Sequence, residues 1–193
     1  YQLSDYGMKL KTYPYLYLSV NGSSDSRKKL FWAFYGGYGS AHEPHTSYRS
    51  ISQQLRYRFS TKVEVSTGFN ASKDENNIGY AFSNSNPNLP IIGLRDITEF
   101  TSEVNIKYNA SPNVNFTARF RHYNSFVLYR SFYQTEEDGE WRNLPIDYTT
   151  AYNENFNLQN IDVFFNWIFR PGSRMVVSYK QWLNDAYILN DRL

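Results

Sequence analysis

Apolar and polar residues alternate one for one through long stretches of this chain, and that period of two sets the first expectation. From Lys62 to Ala71 the apolar or small positions are Val63, Val65, Thr67, Phe69 and Ala71, separated by Lys62, Glu64, Ser66 and Asn70. From Phe100 to Tyr108 the series Phe100, Ser102, Val104, Ile106 and Tyr108 opposes Thr101, Glu103, Asn105 and Lys107. Val114, Phe116, Ala118 and Phe120 alternate with Asn115, Thr117, Arg119 and Arg121. Ile51, Leu55, Tyr57 and Phe59 alternate with Ser52, Gln54, Arg56 and Arg58, interrupted by Gln53. Successive side chains of a strand point to opposite faces, so each segment reads as a strand with one apolar and one polar face, and a 3.6-residue period fits none of them. Tyr13 to Asn21, Lys29 to Tyr38, Phe156 to Phe169 and Arg174 to Trp182 carry the pattern less cleanly. The expectation is about eight strands, each near the roughly 9–11 residues that a tilted membrane strand needs.

The connections add a second regularity. Ser60-Thr61, Ala110-Ser111-Pro112-Asn113 and Arg170-Pro171-Gly172-Ser173 are tight and built from turn formers, and Asn21 to Ser26 is only slightly longer. Between them lie longer polar segments, Gly39 to Thr46, Lys73 to Ile97 and Phe132 to Asn153, which read as loops. Short and long connections therefore take turns along the chain. That succession is the layout of an outer-membrane barrel, with tight turns on one rim and long loops on the other.

Alternation alone does not say which face meets which solvent, and a soluble barrel would turn the apolar rows inward. Two features favour the inverted arrangement. The polar rows place Arg56 and Arg58 beside Lys62 and Glu64, and Glu103 and Lys107 beside Arg119 and Arg121, as suits a wet interior where charges pair across strands. Aromatics gather near the strand ends: Tyr57, Phe59, Tyr108, Trp167 and Phe169 by the short turns, and Tyr48, Tyr123, Tyr129, Tyr152 and Trp182 by the long loops. Two aromatic girdles are expected from that placement. The fold class expected is all-β, an antiparallel up-and-down transmembrane barrel, with residues 1–193 forming a single domain that is part of a larger barrel.

Composition agrees with this picture. Aromatic residues make up 19% of the chain, with 18 Tyr, 14 Phe and 4 Trp, so rings carry much of the apolar bulk. Mean hydropathy is -0.62. No run approaches the roughly 18–20 apolar residues of a membrane helix. A net charge of +2 is too small to argue for nucleic acid, and with no cysteine there is neither a disulfide framework nor a thiolate metal site. The chain opens at Tyr1 and closes on the polar Asn190-Asp191-Arg192-Leu193, which reads as a fragment of a longer chain.

Parts of the sequence are also familiar. The run Thr98-Glu99-Phe100 through Phe116-Thr117-Ala118-Arg119-Phe120-Arg121-His122-Tyr123 resembles a Bacteroidota outer-membrane β-barrel family of unknown function. So do Asn160-Ile161-Asp162-Val163-Phe164-Phe165-Asn166-Trp167, then Phe169-Arg170-Pro171-Gly172-Ser173 and Val176-Val177-Ser178-Tyr179-Lys180. In that family a carbohydrate-binding family 9-like module precedes a C-terminal barrel region. The resemblance covers most of the second half and, more loosely, the first. It implies a location and an architecture but no reaction, and it carries no sugar-binding residue onto this chain.

Motifs for chemistry are few. His42-Glu43-Pro44-His45 places two histidines around a proline in a loop rather than one helical turn apart, so a solvated loop is the plainer reading. Glu136-Glu137-Asp138-Gly139-Glu140 lacks the ligand spacing of a calcium loop. Glu99 and Glu103 share a strand face without a perturbed environment that would mark an acid/base pair. Gly36-Gly37-x-Gly39 falls late in a strand, no Gly-x-Ser-x-Gly occurs, and His122 reads as a rim hydrogen-bonder. The best functional candidates are the interior charges Arg56, Arg58, Glu103, Lys107, Arg119 and Arg121, which either brace the wall or set the selectivity of a pore or hold a plug. The expected function is non-enzymatic, a pore, transport component or subunit of a cell-envelope complex in the bacterial outer membrane. Lipid is the expected partner, with envelope proteins or glycan at the long loops, no nucleic acid, no metal and no cofactor. The competing readings are a membrane-embedded hydrolase with its site outside this segment, and a soluble barrel binding an apolar ligand.

Overall fold

The computed structural model describes residues 2–3, 8–9, 13–42, 45–83, 90–135, 140–144 and 153–188. β1 (Gln2–Leu3) and β2 (Met8–Lys9) form a separate two-stranded sheet. The other nine strands make one antiparallel sheet: β3 (Tyr15–Ser23), β4 (Leu30–Ala41), β5 (Ser47–Arg58), β6 (Val63–Ser83), β7 (Pro90–Ser111), β8 (Val114–Thr135), β9 (Trp141–Leu144), β10 (Glu154–Arg170) and β11 (Ser173–Ile188). Its order is β11-β10-β8-β7-β6-β5-β4-β3, and the short β9 pairs with the far end of β8. The chain is thus all-β and up-and-down, as the alternation predicts. The sheet is open, however: among the described residues β3 and β11 pair with no strand on their outer sides, so closure into a barrel is not seen.

All eight expected strands are present, but three are far longer than expected. β6, β7 and β8 run 21, 22 and 22 residues. Much of the segment read as a Lys73 to Ile97 loop is paired strand, and part of Phe132 to Asn153 is the end of β8 together with β9. The alternation is lost there for a physical reason. Register shifts lie between Asp74 and Asn77, between Tyr80 and Phe82, and between Leu94 and Arg95, and each bulge turns the following residues over to the other face. Asn76, at the first shift, has a positive φ of 55°. Its amide N–H donates to Asp96 (3.0 Å) and its Nδ2 to the His45 carbonyl (3.2 Å), which ties the extension to the β4–β5 connection.

The tight turns behave as their residues dictate. Pro171-Gly172 closes β10 onto β11 with Gly172 at φ 79°, the left-handed value that a type II turn requires at its third position. A Cβ there would meet nothing, so backbone conformation alone asks for glycine.

Register separates two faces. Cross-strand partners lie on one side, so Leu30, Tyr57, Val65, Ile106, Ala118, Val163 and Tyr179 form one row across seven strands. The rows beside it hold Trp32, Leu55, Val104, Phe120 and Ile161, and Tyr108, Phe116, Phe165 and Val177. This apolar face is open: Leu18 is 61% exposed, Ile51 56% and Val177 54%. Deep burial occurs elsewhere. Ile91, Ile92 and Phe132 are buried in the β7–β8 extension, and on the polar face Asp162 and Asn166 retain only 4% and 8% exposure.

The aromatic girdles require a correction. Tyr57, Tyr108 and Trp167 do belong to the apolar face, and Phe59 and Phe169 pack on Tyr57 and Trp167 at centroid distances of 4.7 and 5.7 Å. On the other side, Tyr48 pairs with Asp74, Tyr123 with Thr101 and Trp182 with Asn160, which places all three rings on the polar face. Tyr129 stacks on Phe132 in the extension, and Tyr152 lies outside the described residues. One ring row therefore borders the apolar face at the short turns. The second set is not a girdle on that face, because those residues fall on the odd step of the pleat.

Candidate functional site on the polar face

The six charges singled out from sequence all project from the polar face, and register arranges them in rows. Arg58, Glu64 and Lys107 are direct cross-strand neighbours on β5, β6 and β7. The next row places Arg56, Ser66, Asn105, Arg119, Asp162 and Lys180 side by side, and the row after it Gln54, Gly68, Glu103, Arg121, Asn160 and Trp182. Opposite charges facing one another across a strand pair attract where like charges would repel.

Each row closes through specific contacts. Glu64 collects three cations: Arg58 Nε at 3.0 Å, Lys107 Nζ at 3.5 Å and Arg56 Nε at 3.7 Å. Arg56 also lies 5.0 Å over the Phe31 ring, and its Nη2 donates to the Ser26 carbonyl at 2.6 Å, so it holds the β3–β4 turn as well. Glu103 Oε2 accepts from Arg121 Nη2 (2.8 Å) and Nε (3.0 Å), while Asn105 Nδ2 donates to Oε1 at 2.6 Å. Asp162 Oδ2 accepts from Arg119 Nη2 (2.6 Å) and Nε (3.2 Å). With its amide nitrogen turned toward Asp162, Asn160 adds a 3.0 Å bond and accepts one from the Trp182 indole.

Sequence reasoning missed the two residues that organise these clusters. Glu64 lay in a charged row but did not stand out as the carboxylate shared by three cations. Asp162 was visible only as a polar step in an apolar strand, and its pairing with Arg119 rests on the β8–β10 register, 43 residues apart. The Asn-Ile-Asp spacing of Asn160 to Asp162 was the available signal, because period two sends both side chains to one face.

A hollow of about 230 Å³ lies within the second and third of the charged rows and the neutral row after them, lined by Ser66, Gly68, Asn70, Thr101, Glu103 and Asn105. Beyond it, Tyr15 and Tyr17 of β3 stack at 6.5 Å and reach over Gly39 and Gly37 of β4, which have no side chain to displace them. Asp74 stands at this end, 2.6 Å from Asn77 Nδ2, and burial raises its carboxyl above the ordinary 3.8. Glu75 nearby is lowered, chiefly by the hydrogen bond from Lys73.

The remaining sequence motifs are placed as follows. The His42 and His45 rings meet edge to face at 5.6 Å, with Glu43 and Pro44 outside the described residues. Among the described residues no group of three or more His, Asp or Glu side chains could hold a metal ion. Residues 136–139 of the acidic run lie outside the described residues, and Glu140 is exposed. Glu99 accepts from Tyr123 at 2.7 Å, and His122 bonds Asn157 at 2.9 Å, from strand interiors rather than a rim.

No curated protein and no solved structure matches this sequence. The family described as a domain of unknown function, DUF5916, matches residues 1–191, and the chain belongs to that family.

Proposed function

We propose that this sheet is part of the wall of a bacterial outer-membrane β-barrel, with lipid against its apolar face and water against its polar face. The observation that carries the reading is the inversion of burial: leucine, isoleucine and valine stand half open while Asp162 and Asn166 are covered. In water, exposing that many contiguous apolar rows costs about 25 cal/mol per Å². In lipid the same face is stable, and the paired charges line a wet interior. The height of the band fits. Phe100 to Tyr108 covers about 27 Å of strand at about 3.4 Å per residue, and a tilt of about 40° leaves about 21 Å, of the order of a bilayer's apolar band.

Lipid offers nothing to an unpaired strand edge, so β3 and β11 join further strands of a wider barrel. The polar-face carboxylates Glu64, Glu103 and Asp162 are each held by arginine, which favours a non-enzymatic role as a pore, transport component or envelope subunit over a hydrolase. A soluble barrel with an apolar ligand would bury the opposite face. The test is electrophoretic. Purified protein is expected to need detergent and to migrate faster unheated than boiled. A monodisperse chain in detergent-free buffer, with no heat-dependent shift, would overturn the proposal.

A further inference from the structure

The net charge of +2 conceals an uneven distribution. Lys28 and Lys29 lie in the β3–β4 turn, Lys62 in the β5–β6 turn, and Arg170 and Arg174 flank the β10–β11 turn; all five are exposed. Arg27 is 90% exposed beside Asp25. These turns form one rim, knitted by backbone bonds from Arg58 N–H to Lys29 O (2.9 Å), Asn109 N–H to Lys62 O (2.8 Å) and Ile168 N–H to Asn113 O (2.8 Å). Adding Arg58 and Lys107 from the adjoining row, this end holds eight of the 20 Lys and Arg residues but only Asp25 and Glu64 of the 18 acidic ones. Among the described residues Lys28, Lys29, Lys62 and Arg170 make no ion pair.

Exposed rings stand directly beside these cations. Phe59 is 61% exposed near Lys62, and Phe169 is 49% exposed next to Arg170, with Tyr57, Tyr108 and Trp167 on the apolar face behind them. Rings and cations are separated by one to three residues, so an occupant must present an anionic layer within about 10 Å of an apolar one. A phospholipid leaflet has that layering. An acidic protein surface or a nucleic acid supplies the charge without the apolar layer.

We propose that the short-turn rim docks on the headgroups of an anionic phospholipid leaflet through Lys28, Lys29, Lys62 and Arg170, with the neighbouring rings at the headgroup–acyl boundary. This rests on the membrane reading above and adds to it the charge of the lipid. The rim then fixes which end of the sheet faces that leaflet.

The test is flotation of the whole chain, diluted from urea, with vesicles of phosphatidylcholine alone or mixed with phosphatidylglycerol. The expected result is capture by both, about tenfold stronger with phosphatidylglycerol, and that excess should vanish in high salt and in K28Q/K29Q/K62Q/R170Q. Equal capture by the two vesicles, or a preference that survives salt or the fourfold substitution, overturns this proposal and leaves the membrane reading standing. Capture by neither vesicle overturns both. Salt dependence of the unaltered chain keeps the test decisive if the variant folds poorly.

Discussion

Asp74 shows how one carboxyl can work against the structure that holds it. Burial raises it above 3.8, Asp96 and Glu99 push it further in the same direction, and the Asn77 hydrogen bond and Arg95 only partly offset them. A carboxyl that binds its proton more tightly when folded than when unfolded loses stability for the fold as pH climbs from below 3.8 through the raised native value. Asp74→Asn is therefore expected to raise the unfolding midpoint at pH 7, and the gain should disappear below about pH 3.8, where both forms are neutral. Urea unfolding of the two proteins at both pH values checks this. Glu75 and Asp25 have the opposite sign: their carboxyls are lowered, so their contribution is present above the unfolded value and fades on acidification. None of these signs is readable from the sequence. Lys73, Asp74 and Glu75 are consecutive, and which is solvated depends on how the bulge after Asp74 turns the strand.

At the scale of elements, pairs of strands are fastened by charges that face one another across them. The β8–β10 pair is the clearest case, because Asp162 is almost fully covered while Arg119 retains about a third of its side-chain exposure. Removing one partner leaves the other desolvated and unpaired, whereas removing both removes the penalty. Asp162→Leu is expected to destabilise by about 3 kcal/mol, and adding Arg119→Met should recover more than half of that. A double-mutant cycle by urea unfolding measures it, and additive effects would refute the coupling. The alternation named the strands carrying these residues, and even the faces, because a period of two survives wherever pairing is regular. It failed from Asp74 to Leu94, where bulges interrupt it and the segment looks like loop. There Ile91 and Ile92, neighbours in sequence, are both buried, so the strand is covered on both sides and offers no periodicity to read.

Over the whole molecule, the distribution of charge complements the distribution of apolar surface. Arg56, Arg58 and Lys107 surround the single carboxylate Glu64, so the polar face near the short turns carries excess positive charge. In a barrel wall that excess would favour anions passing along it. Replacing Arg58 and Lys107 together by Gln, which leaves Arg56 to pair with Glu64, is expected to shift the reversal potential in planar bilayers toward cation preference. An unchanged reversal potential would mean that these residues brace the wall without facing a conducting path. The sequence by itself determined the strand class, the tight turns at Pro112-Asn113 and Pro171-Gly172, and the two chemically opposite faces, because each follows from local pattern and turn chemistry. Only the tertiary structure decided which apolar rows stand exposed, that Glu64 and Asp162 organise the charges, that among the described residues β3 and β11 have no outer partner, and that Tyr48, Tyr123 and Trp182 belong with the charges. Those depend on register between strands far apart in the chain, and register is set by backbone pairing and bulges that residue alternation does not encode.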